Sequence, residues 1–194
     1  MAAHLKDVPR HYYTLEEYFA LEGVGEARYE YWDGEIVCMS GGTERHYTIS
    51  ENLRTLLADL LKGRNCRAYS GGVPVHTPSL PPYRYPDASV VCGQPVFANL
   101  GGIDALTNPA LIIEVLSPGT ERLDKEEKRH AYQKLSSVKE YLIVSQDAPH
   151  ITQYRRQGRR WVREDYGDLR ASPELTSINC RVSLSDIYQG VTFN

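Results

Sequence analysis

Near the middle of the chain stands the run Leu111-Ile112-Ile113-Glu114-Val115-Leu116. Branched apolar side chains in a continuous row, opened by Asn108-Pro109 and closed by Ser117-Pro118-Gly119, are typical of a central strand that is covered on both faces. Glu114 is the exception, because burying an ionised carboxylate without a partner is strongly unfavourable. Three compensations are open: a bound cation, a basic partner, or a position at an open strand end.

Length and composition limit the possible classes of protein. With 194 residues, 41% hydrophobic and 24% charged, the chain predicts one globular domain over residues 1–194. The formal net charge is −3, so a nucleic-acid partner would be held by local clusters and metal ions rather than by an overall positive field. No apolar segment approaches the roughly 18 residues of a membrane span, and residues 1–10 lack a signal-peptide core. We expect no membrane association.

The four cysteines indicate a cellular compartment. Cys38, Cys66, Cys92 and Cys180 show no close pairing in the sequence. Cys38 and Cys92 lie in strand-like apolar stretches, and we interpret them as buried free thiols. Because the cytoplasm keeps thiols reduced, a cytoplasmic protein is expected.

The N-terminal part of the chain alternates between helical and extended patterns. Thr14 can cap a short helix whose first turn carries Glu16 and Glu17. Asp33-Gly34 marks a hairpin within residues 28–40. Apolar residues at helical spacing then predict an amphipathic helix over residues 46–62.

The remaining elements complete the fold class. Strands are predicted at residues 67–76, 87–92 and 140–144, a helix at 123–135, and a final hairpin from 151–154 and 160–166 around Gly158. This order predicts an α/β or α+β domain with a central mixed sheet, flanking helices and an additional C-terminal hairpin.

Two carboxylates are predicted on neighbouring strands. Asp87 follows Pro86 at the start of the 87–92 strand, and Glu114 lies in the apolar run. Divalent cations such as Mg²⁺ bind a few carboxylate oxygens and complete their shell with water and phosphate oxygens. The pair therefore fits phosphoryl transfer. Purely structural alternatives stay open: Glu114 would form a buried ion pair with Arg or Lys, and Asp87 would stabilise a turn before its strand.

Phosphoryl transfer also needs a cation that orients or deprotonates the attacking water. Lys128 is the candidate, because it lies on the helix that should pack back over the Glu114 strand. Asp124 and Tyr132 stand four positions on either side, so the three share one helical stripe. Tyr132 would bond phosphate or fill the core. A lysine in a charged helix is otherwise usually solvated.

An ordered set of motifs resembles the Uma2 family of predicted endonucleases over about residues 13–144. The motifs are Tyr29-Glu30, Asp33-Gly34-Glu35, His46, Pro86-Asp87, Glu114-Val115-Leu116-Ser117-Pro118-Gly119-Thr120, Lys128 with Tyr132, and Glu140-Tyr141. The resemblance implies a restriction-endonuclease-like fold of the PD-(D/E)xK superfamily.

The same resemblance implies roles for individual residues. Asp87 and Glu114 would bind a Mg²⁺ or Mn²⁺ ion, and a lysine would assist the attacking water. In the superfamily that lysine stands two residues after the acidic position, where this chain has Leu116. Lys128 would then place its ammonium in the space of the missing lysine.

Three further residues complete the predicted site. Glu30 matches an acidic position of such chains and would be an accessory acid, with a surface strand residue as the alternative. His46 and Tyr132 would bind substrate. For His46, capping of the helix or packing is an equally open interpretation.

The clearest basic cluster belongs to the C-terminal hairpin and consists of Arg155, Arg156, Arg159, Arg160 and Arg163. Together with Tyr154 and Trp161 it would suit backbone contact and base stacking. Edge strands also carry charge simply to avoid aggregation, so both interpretations stay open.

These features predict a metal-dependent endonuclease that hydrolyses phosphodiester bonds, with DNA as the expected substrate. A homodimer would supply the two sites that cutting both strands needs. The alternative, motivated by Leu116, is a catalytically reduced nuclease fold that binds nucleic acid or a protein partner. A small-molecule hydrolase is poorly supported, because the chain has no Gly-x-Ser-x-Gly elbow.

Overall fold

The computed structural model describes residues 11–25, 27–39 and 41–193. Its elements in chain order are α1 (Leu15–Val24), β1 (Tyr29–Trp32), β2 (Glu35–Cys38), α2 (Glu44–Leu61), β3 (Cys66–Ser70), β4 (Val75–His76), β5 (Tyr83–Arg84), β6 (Ala88–Cys92), β7 (Phe97–Leu100), β8 (Ile103–Leu106), β9 (Leu111–Val115), a π-helical segment (Leu123–Lys128), α3 (Arg129–Lys134), β10 (Glu140–Val144), β11 (Ile151–Gln157), β12 (Arg160–Tyr166), β13 (Glu174–Leu175), β14 (Cys180–Arg181) and α4 (Leu184–Ile187).

A six-stranded sheet forms the centre of this α+β fold, in the order β12-β11-β10-β9-β6-β3. β9 and β10 are parallel, and the π-helical segment with α3 is the crossover between them. The other neighbours in this sheet are antiparallel. The prediction of a central mixed sheet with a C-terminal hairpin, formed by β11 and β12, is confirmed.

Both faces of β9 are covered, as its apolar sequence predicted. On one face Leu111, Ile113 and Val115 pack in the same apolar cluster as the inward side of α2. On the other face, Ile112 belongs to the cluster that contains residues of α3. Since side chains alternate along a strand, Glu114 belongs to the face under the crossover helix.

Capping and turn residues in the sequence correctly predicted the N-terminal helix and hairpin. Thr14 and Glu17 form a capping box at α1, in which the Thr14 oxygen accepts from the Glu17 amide at 3.2 Å. Asp33 and Gly34 both have positive φ and make the turn between β1 and β2. α2 begins at Glu44, before the predicted start, because Thr43 caps it by accepting from the His46 amide at 3.1 Å.

Residues 67–76 were wrongly predicted as one strand. β3 ends at Ser70, Gly71-Gly72 form a turn, and β4 joins a separate four-stranded sheet with the order β5-β4-β8-β7. The hairpin of β7 and β8 was not predicted, because its strands are only four residues long and each carries a polar residue, Asn99 or Asp104.

The cysteine prediction was also wrong. Cys66 and Cys92 face each other across β3 and β6 and form a disulfide bond, and Cys38 is exposed rather than buried. Cross-strand partners distant in sequence cannot be recognised from cysteine spacing. The argument from unpaired thiols for a cytoplasmic location therefore loses its support.

Within the described part of the chain, none of the helices has the length and apolar character needed to cross a membrane. Residues 1–10, where no signal-peptide core was expected, lie outside the described residues.

Candidate active site

Asp87 and Glu114 meet where β6 begins and β9 ends. These strands pair antiparallel with Ala88 opposite Ile113, so the register carries Asp87 to the position opposite Glu114. Asp87 Oδ2 accepts a hydrogen bond from the Val115 amide at 2.7 Å, which holds the carboxylate against the end of β9. Both carboxylates line one cavity of about 330 Å³, which is called the acidic cavity below.

Lys128 reaches this cavity from the crossover helix, and its side chain is 1% exposed. Its Nζ lies 3.0 Å from Glu30 Oε1, 3.0 Å from Asp124 Oδ1 and 3.6 Å from Glu114 Oε1. One buried ammonium is thus surrounded by three buried carboxylates. The structure brings Lys128 to Glu114, as the sequence predicted, although the role of Lys128 stays a prediction.

Two N–H donors, one of the backbone and one of a side chain, hold the Glu30 carboxylate beside Lys128. Its Oε1 accepts from the Tyr85 amide at 2.9 Å, and its Oε2 accepts from Trp32 Nε1 at 3.2 Å. Glu30 is fully buried and is not among the residues that line the acidic cavity. Its ion pair with Lys128 is buried as well, so the surface-residue alternative for Glu30 does not apply.

Burial dominates the electrostatics of this cluster. Burial raises the pKa of Glu114 well above its ordinary value, and the nearby carboxylates of Asp124 and Asp87 add to the rise, although Lys128 opposes it. Burial raises the pKa of Asp124 as well, against the opposing effect of Lys128. For Lys128 burial alone would lower the pKa, but the surrounding carboxylates outweigh burial and raise the pKa well above its ordinary value.

Two carboxylate oxygens of the cluster could bind a cation. Glu114 Oε1 is buried without a hydrogen-bond partner and lies 3.6 Å from the Lys128 ammonium, and Asp124 Oδ1 contacts the same ammonium at 3.0 Å. Among the described residues, no three His, Cys, Asp or Glu side chains converge as a complete set of metal ligands. Mg²⁺ commonly binds one or two carboxylates and keeps several waters, so the oxygen donors at this position fit such an ion.

His46 contacts the opposite side of Asp87. Its Nε2 lies 3.3 Å from Asp87 Oδ1, and the hydrogen bond with Asp87 raises the pKa of His46, against the effect of burial. Its ring lines the acidic cavity, and Nδ1 is buried without a hydrogen-bond partner. The side chain that caps α2 is that of Thr43, so the capping alternative for His46 is wrong.

Tyr132 lies deeper than a substrate-binding residue would. It is fully buried in the apolar cluster beneath β9, with its ring centroid 5.8 Å from that of Tyr141, and it is not part of the lining of the acidic cavity. Its surroundings match the packing alternative that the sequence left open.

Asp124 belongs to the site, although its position in the sequence predicted no role for it. The spacing of four residues placed it on the stripe of Lys128, and this was the available signal. In the structure it lines the acidic cavity, and its Oδ2 accepts from Thr120 Oγ1 at 2.7 Å. Its segment is π-helical, a rare conformation that is frequent at functional sites.

The two remaining predictions concern Leu116 and the basic hairpin. Leu116, at the usual lysine position, is 8% exposed and packs in the core. In the hairpin, Arg155 pairs with Glu164, Arg163 with Asp165, and Arg156 donates to backbone carbonyls and stacks on Trp161. Three of the five arginines are therefore engaged within the protein.

Comparison with known proteins identifies the family. The sequence model of the Uma2 family, described as "Putative restriction endonuclease", matches residues 15–185. The chain belongs to the Uma2 family. The match confirms the resemblance carried by the sequence motifs and extends it through the C-terminal hairpin.

Two relatives of the chain are proteins of Synechocystis sp. (strain ATCC 27184 / PCC 6803 / Kazusa). The uncharacterized protein slr1290 is 32% identical over 196 residues, covering 100% of both chains. The uncharacterized protein sll1609 is 29% identical over 150 residues, covering 77% of this chain and 84% of its own length.

A solved structure shares the fold. The crystal structure of a "putative nuclease belonging to DUF820" from Anabaena variabilis ATCC 29413 matches with a TM-score of 0.71 and 19% identity, covering 93% of this chain and 99% of that chain. At this level of identity the likeness concerns the fold, and it confirms the predicted fold class.

Proposed function

We propose that this chain is a metal-dependent endonuclease that hydrolyses phosphodiester bonds, with DNA as its substrate. The observation that carries the proposal is the convergence of Asp87, Glu114, Asp124 and Lys128 on one cavity. Several buried charges, one of them a carboxylate with an oxygen that has no hydrogen-bond donor, are an unfavourable way to fill a protein interior. Clusters with strongly shifted pKa values in a cavity are typical of catalytic centres.

Asp87 and Glu114 would hold a Mg²⁺ or Mn²⁺ ion. Bound there, such an ion would polarise a phosphoryl oxygen and lower the pKa of a bound water. The hydrogen bond from the Val115 amide fixes the orientation of Asp87, and Glu114 Oε1 has no hydrogen bond to give up. Asp124 adds a further carboxylate to the same wall of the cavity.

Lys128 supplies the positive charge and the N–H donors of the site. Glu30 and Asp124, each 3.0 Å from its Nζ, hold the ammonium in place beside Glu114. From this position Lys128 would orient the attacking water and offset the negative charge that develops on the phosphoryl oxygens. In this proposal Glu30 acts through Lys128, as a positioning residue.

His46 would contact the substrate at the mouth of the cavity. Its bond to Asp87 favours the protonated ring, and a protonated imidazole can donate to a phosphate oxygen. The same bond limits the movement of Asp87.

A cleavage assay on plasmid DNA with Mg²⁺ or Mn²⁺ tests the proposal. We expect Asp87→Asn and Glu114→Gln each to reduce the rate about a hundredfold or more, since each removes charge at the reacting centre. Chelation should stop cleavage by the unmodified protein. Glu140→Gln is the matched control, because Glu140 is a buried carboxylate of the neighbouring strand that does not line the acidic cavity.

The assay also separates this function from its alternative. Undiminished cleavage by purified Glu114→Gln would contradict the proposal. Binding of DNA that is insensitive to chelation, with no cleavage in any divalent metal, would instead favour the catalytically reduced module that Leu116 motivates.

A further inference from the structure

A second and larger cavity adjoins the acidic cavity. It has a volume of about 700 Å³ and lies between α2 and β3, which is an edge strand of the central sheet. The two cavities share four lining residues, Met39, His46, Tyr85 and Asp87. They form one continuous surface with Asp87 at the junction, and the larger part is called the α2–β3 groove below.

The charge of the α2–β3 groove is opposite to that of the acidic cavity. Four exposed cationic side chains line it, namely Arg28, Arg54, Lys62 and Arg67. Glu51, which pairs with Arg54, and Asp87 are its acidic residues. Lys62 and Arg67 form no ion pair within the described part of the chain. In a protein with a net charge of −3, this local excess of positive charge indicates an anionic ligand.

Aromatic side chains accompany these cations. Tyr47, Tyr69 and Tyr85 line the groove, and of the three Tyr47 is the exposed one, since Tyr85 is buried and Tyr69 is partly buried. Tyr47 is 53% exposed and directly follows His46, with the two ring centroids 6.0 Å apart. A large aromatic side chain that is half exposed beside His46 offers a face on which a flat ligand can stack.

We propose that the α2–β3 groove binds a single-stranded stretch of nucleic acid that leads to the acidic cavity. The inference rests on the proposed function for its substrate class, and it adds the path and the state of the strand. Cationic side chains that follow a phosphate backbone, together with exposed aromatic faces, are the combination that binds single strands. A duplex keeps its base faces inside the stack, where Tyr47 cannot contact them.

The hairpin of β11 and β12 is the competing surface. There, three of five arginines are held by contacts within the protein, and Arg159 and Arg160 form no ion pair among the described residues, just as Lys62 and Arg67 form none in the groove. What favours the groove is its position, because it shares Asp87 with the lining of the acidic cavity, whereas none of the hairpin arginines lines that cavity.

Fluorescence anisotropy tests the inference without requiring catalysis. A labelled single-stranded DNA oligonucleotide, an RNA of the same sequence and a matched duplex are titrated with the full chain in the presence of a chelator. The groove variant is Lys62→Ala with Arg67→Ala. Its control is Arg159→Ala with Arg160→Ala, two arginines in the hairpin of β12, which is the opposite edge of the sheet.

The groove variant should bind single strands about tenfold more weakly, and the slope of log affinity against log salt should fall by about 1.4 if two phosphate contacts are lost. Tyr47→Ala should weaken binding about fivefold or more, because stacking on one base is lost. Tyr12→Ala, at a tyrosine that is 57% exposed outside the groove, should leave the affinity unchanged, as should the hairpin control.

Equal loss in the groove and hairpin variants, unchanged binding in the groove variant, or a protein that binds none of the three probes would each overturn the inference. Preference for the duplex would overturn it too. Weaker binding of the groove variant in a protein that cleaves nothing would support the groove and contradict the proposed function. Metal-dependent cleavage by a protein whose affinity for single strands is unchanged in the groove variant would support the proposed function and contradict the groove.

Discussion

Two buried glutamates stand on neighbouring strands of the central sheet, and the fold surrounds them in opposite ways. Glu140, on β10, is fully buried and accepts five hydrogen bonds from Gln153, Thr176 and Ser177. Glu114, on β9, is 2% exposed, and its Oε1 has no hydrogen-bond donor and lies 3.6 Å from Lys128. The hydrogen-bonding capacity of the Glu140 carboxylate is met within the protein, whereas that of Glu114 is not.

The difference teaches how to interpret a charge inside a strand. Four of the five donors around Glu140 belong to Thr176 and Ser177 and tie the segment after β13 to the sheet, which is a structural task. Around Glu114 the neighbours are other carboxylates and one ammonium, and they face a cavity. Burial in itself therefore does not indicate function. The informative feature is a buried carboxylate whose oxygens lack donors.

The largest effect on stability is expected for Lys128→Met, which would remove the cation next to Glu114. Removing the ammonium leaves three buried carboxylates without their cation, so the free energy of unfolding at neutral pH should fall by about 3–5 kcal/mol. The loss should shrink as the pH is lowered, because protonated carboxyl groups no longer repel one another. Urea denaturation across a pH series measures both effects.

Lys125→Met is the control for this substitution. Lys125 is a half-exposed lysine of the same π-helical segment, and it pairs with Glu121 at the surface. Its loss should hardly change the stability. A Lys128→Met protein as stable as this control at neutral pH would contradict the account of the cluster.

A smaller effect is expected at the other glutamate. Glu140→Gln replaces one acceptor oxygen by an amide nitrogen and leaves buried donors of Thr176 or Ser177 without a partner. Its free energy of unfolding should fall by about 1–3 kcal/mol, while metal-dependent cleavage at a temperature where it is folded should persist. Glu174→Gln, at an exposed residue of β13, is the control for stability. Loss of cleavage in folded Glu140→Gln would erase the distinction between the two glutamates.

The smallest effect is expected for Glu114→Gln in the absence of metal. The folded-state pKa of Glu114 lies above its ordinary value of 4.5, so the folded protein binds more protons than the unfolded chain. The unmodified protein should therefore lose stability as the pH rises from about 4.5 through the folded-state pKa. Glutamine does not titrate, so the variant should be the more stable protein near pH 8, by on the order of 1 kcal/mol.

Thermal or urea unfolding at pH 4.5 and pH 8 measures this difference, with Glu16→Gln in α1 as an exposed control. The variant should gain relative to the unmodified protein only at the higher pH. A variant that is less stable at pH 8 would show that Glu114 is satisfied in the folded protein after all.

Local signals in the sequence explain what could be predicted. The unbroken apolar run located β9 and its single charge, and Thr14 and Asp33-Gly34 fixed the cap of α1 and the first hairpin. Asp87 could be paired with Glu114 because a Pro-Asp pair began a strand, and the strands β6 and β9 are indeed neighbours.

The rest depends on contacts between distant parts of the chain. The Cys66–Cys92 bond, the turn that separates β3 from β4, and the position of Glu30 beside Lys128 all arise from strand pairing and packing. The spacing of Asp124 from Lys128 showed that the two share a helix face. That this face packs on Glu114 depends on how the crossover helix docks against the sheet. Periodicity cannot supply that information.

The most direct test of the central claim is the anomalous difference density of a crystal soaked in Mn²⁺. We predict a peak within about 2.5 Å of carboxylate oxygens of both Asp87 and Glu114, with the Lys128 ammonium still in the same cavity. Absence of a peak between these residues at saturating Mn²⁺, while Lys128 remains paired with Glu114, would contradict the assignment of this cluster as a metal-dependent catalytic centre.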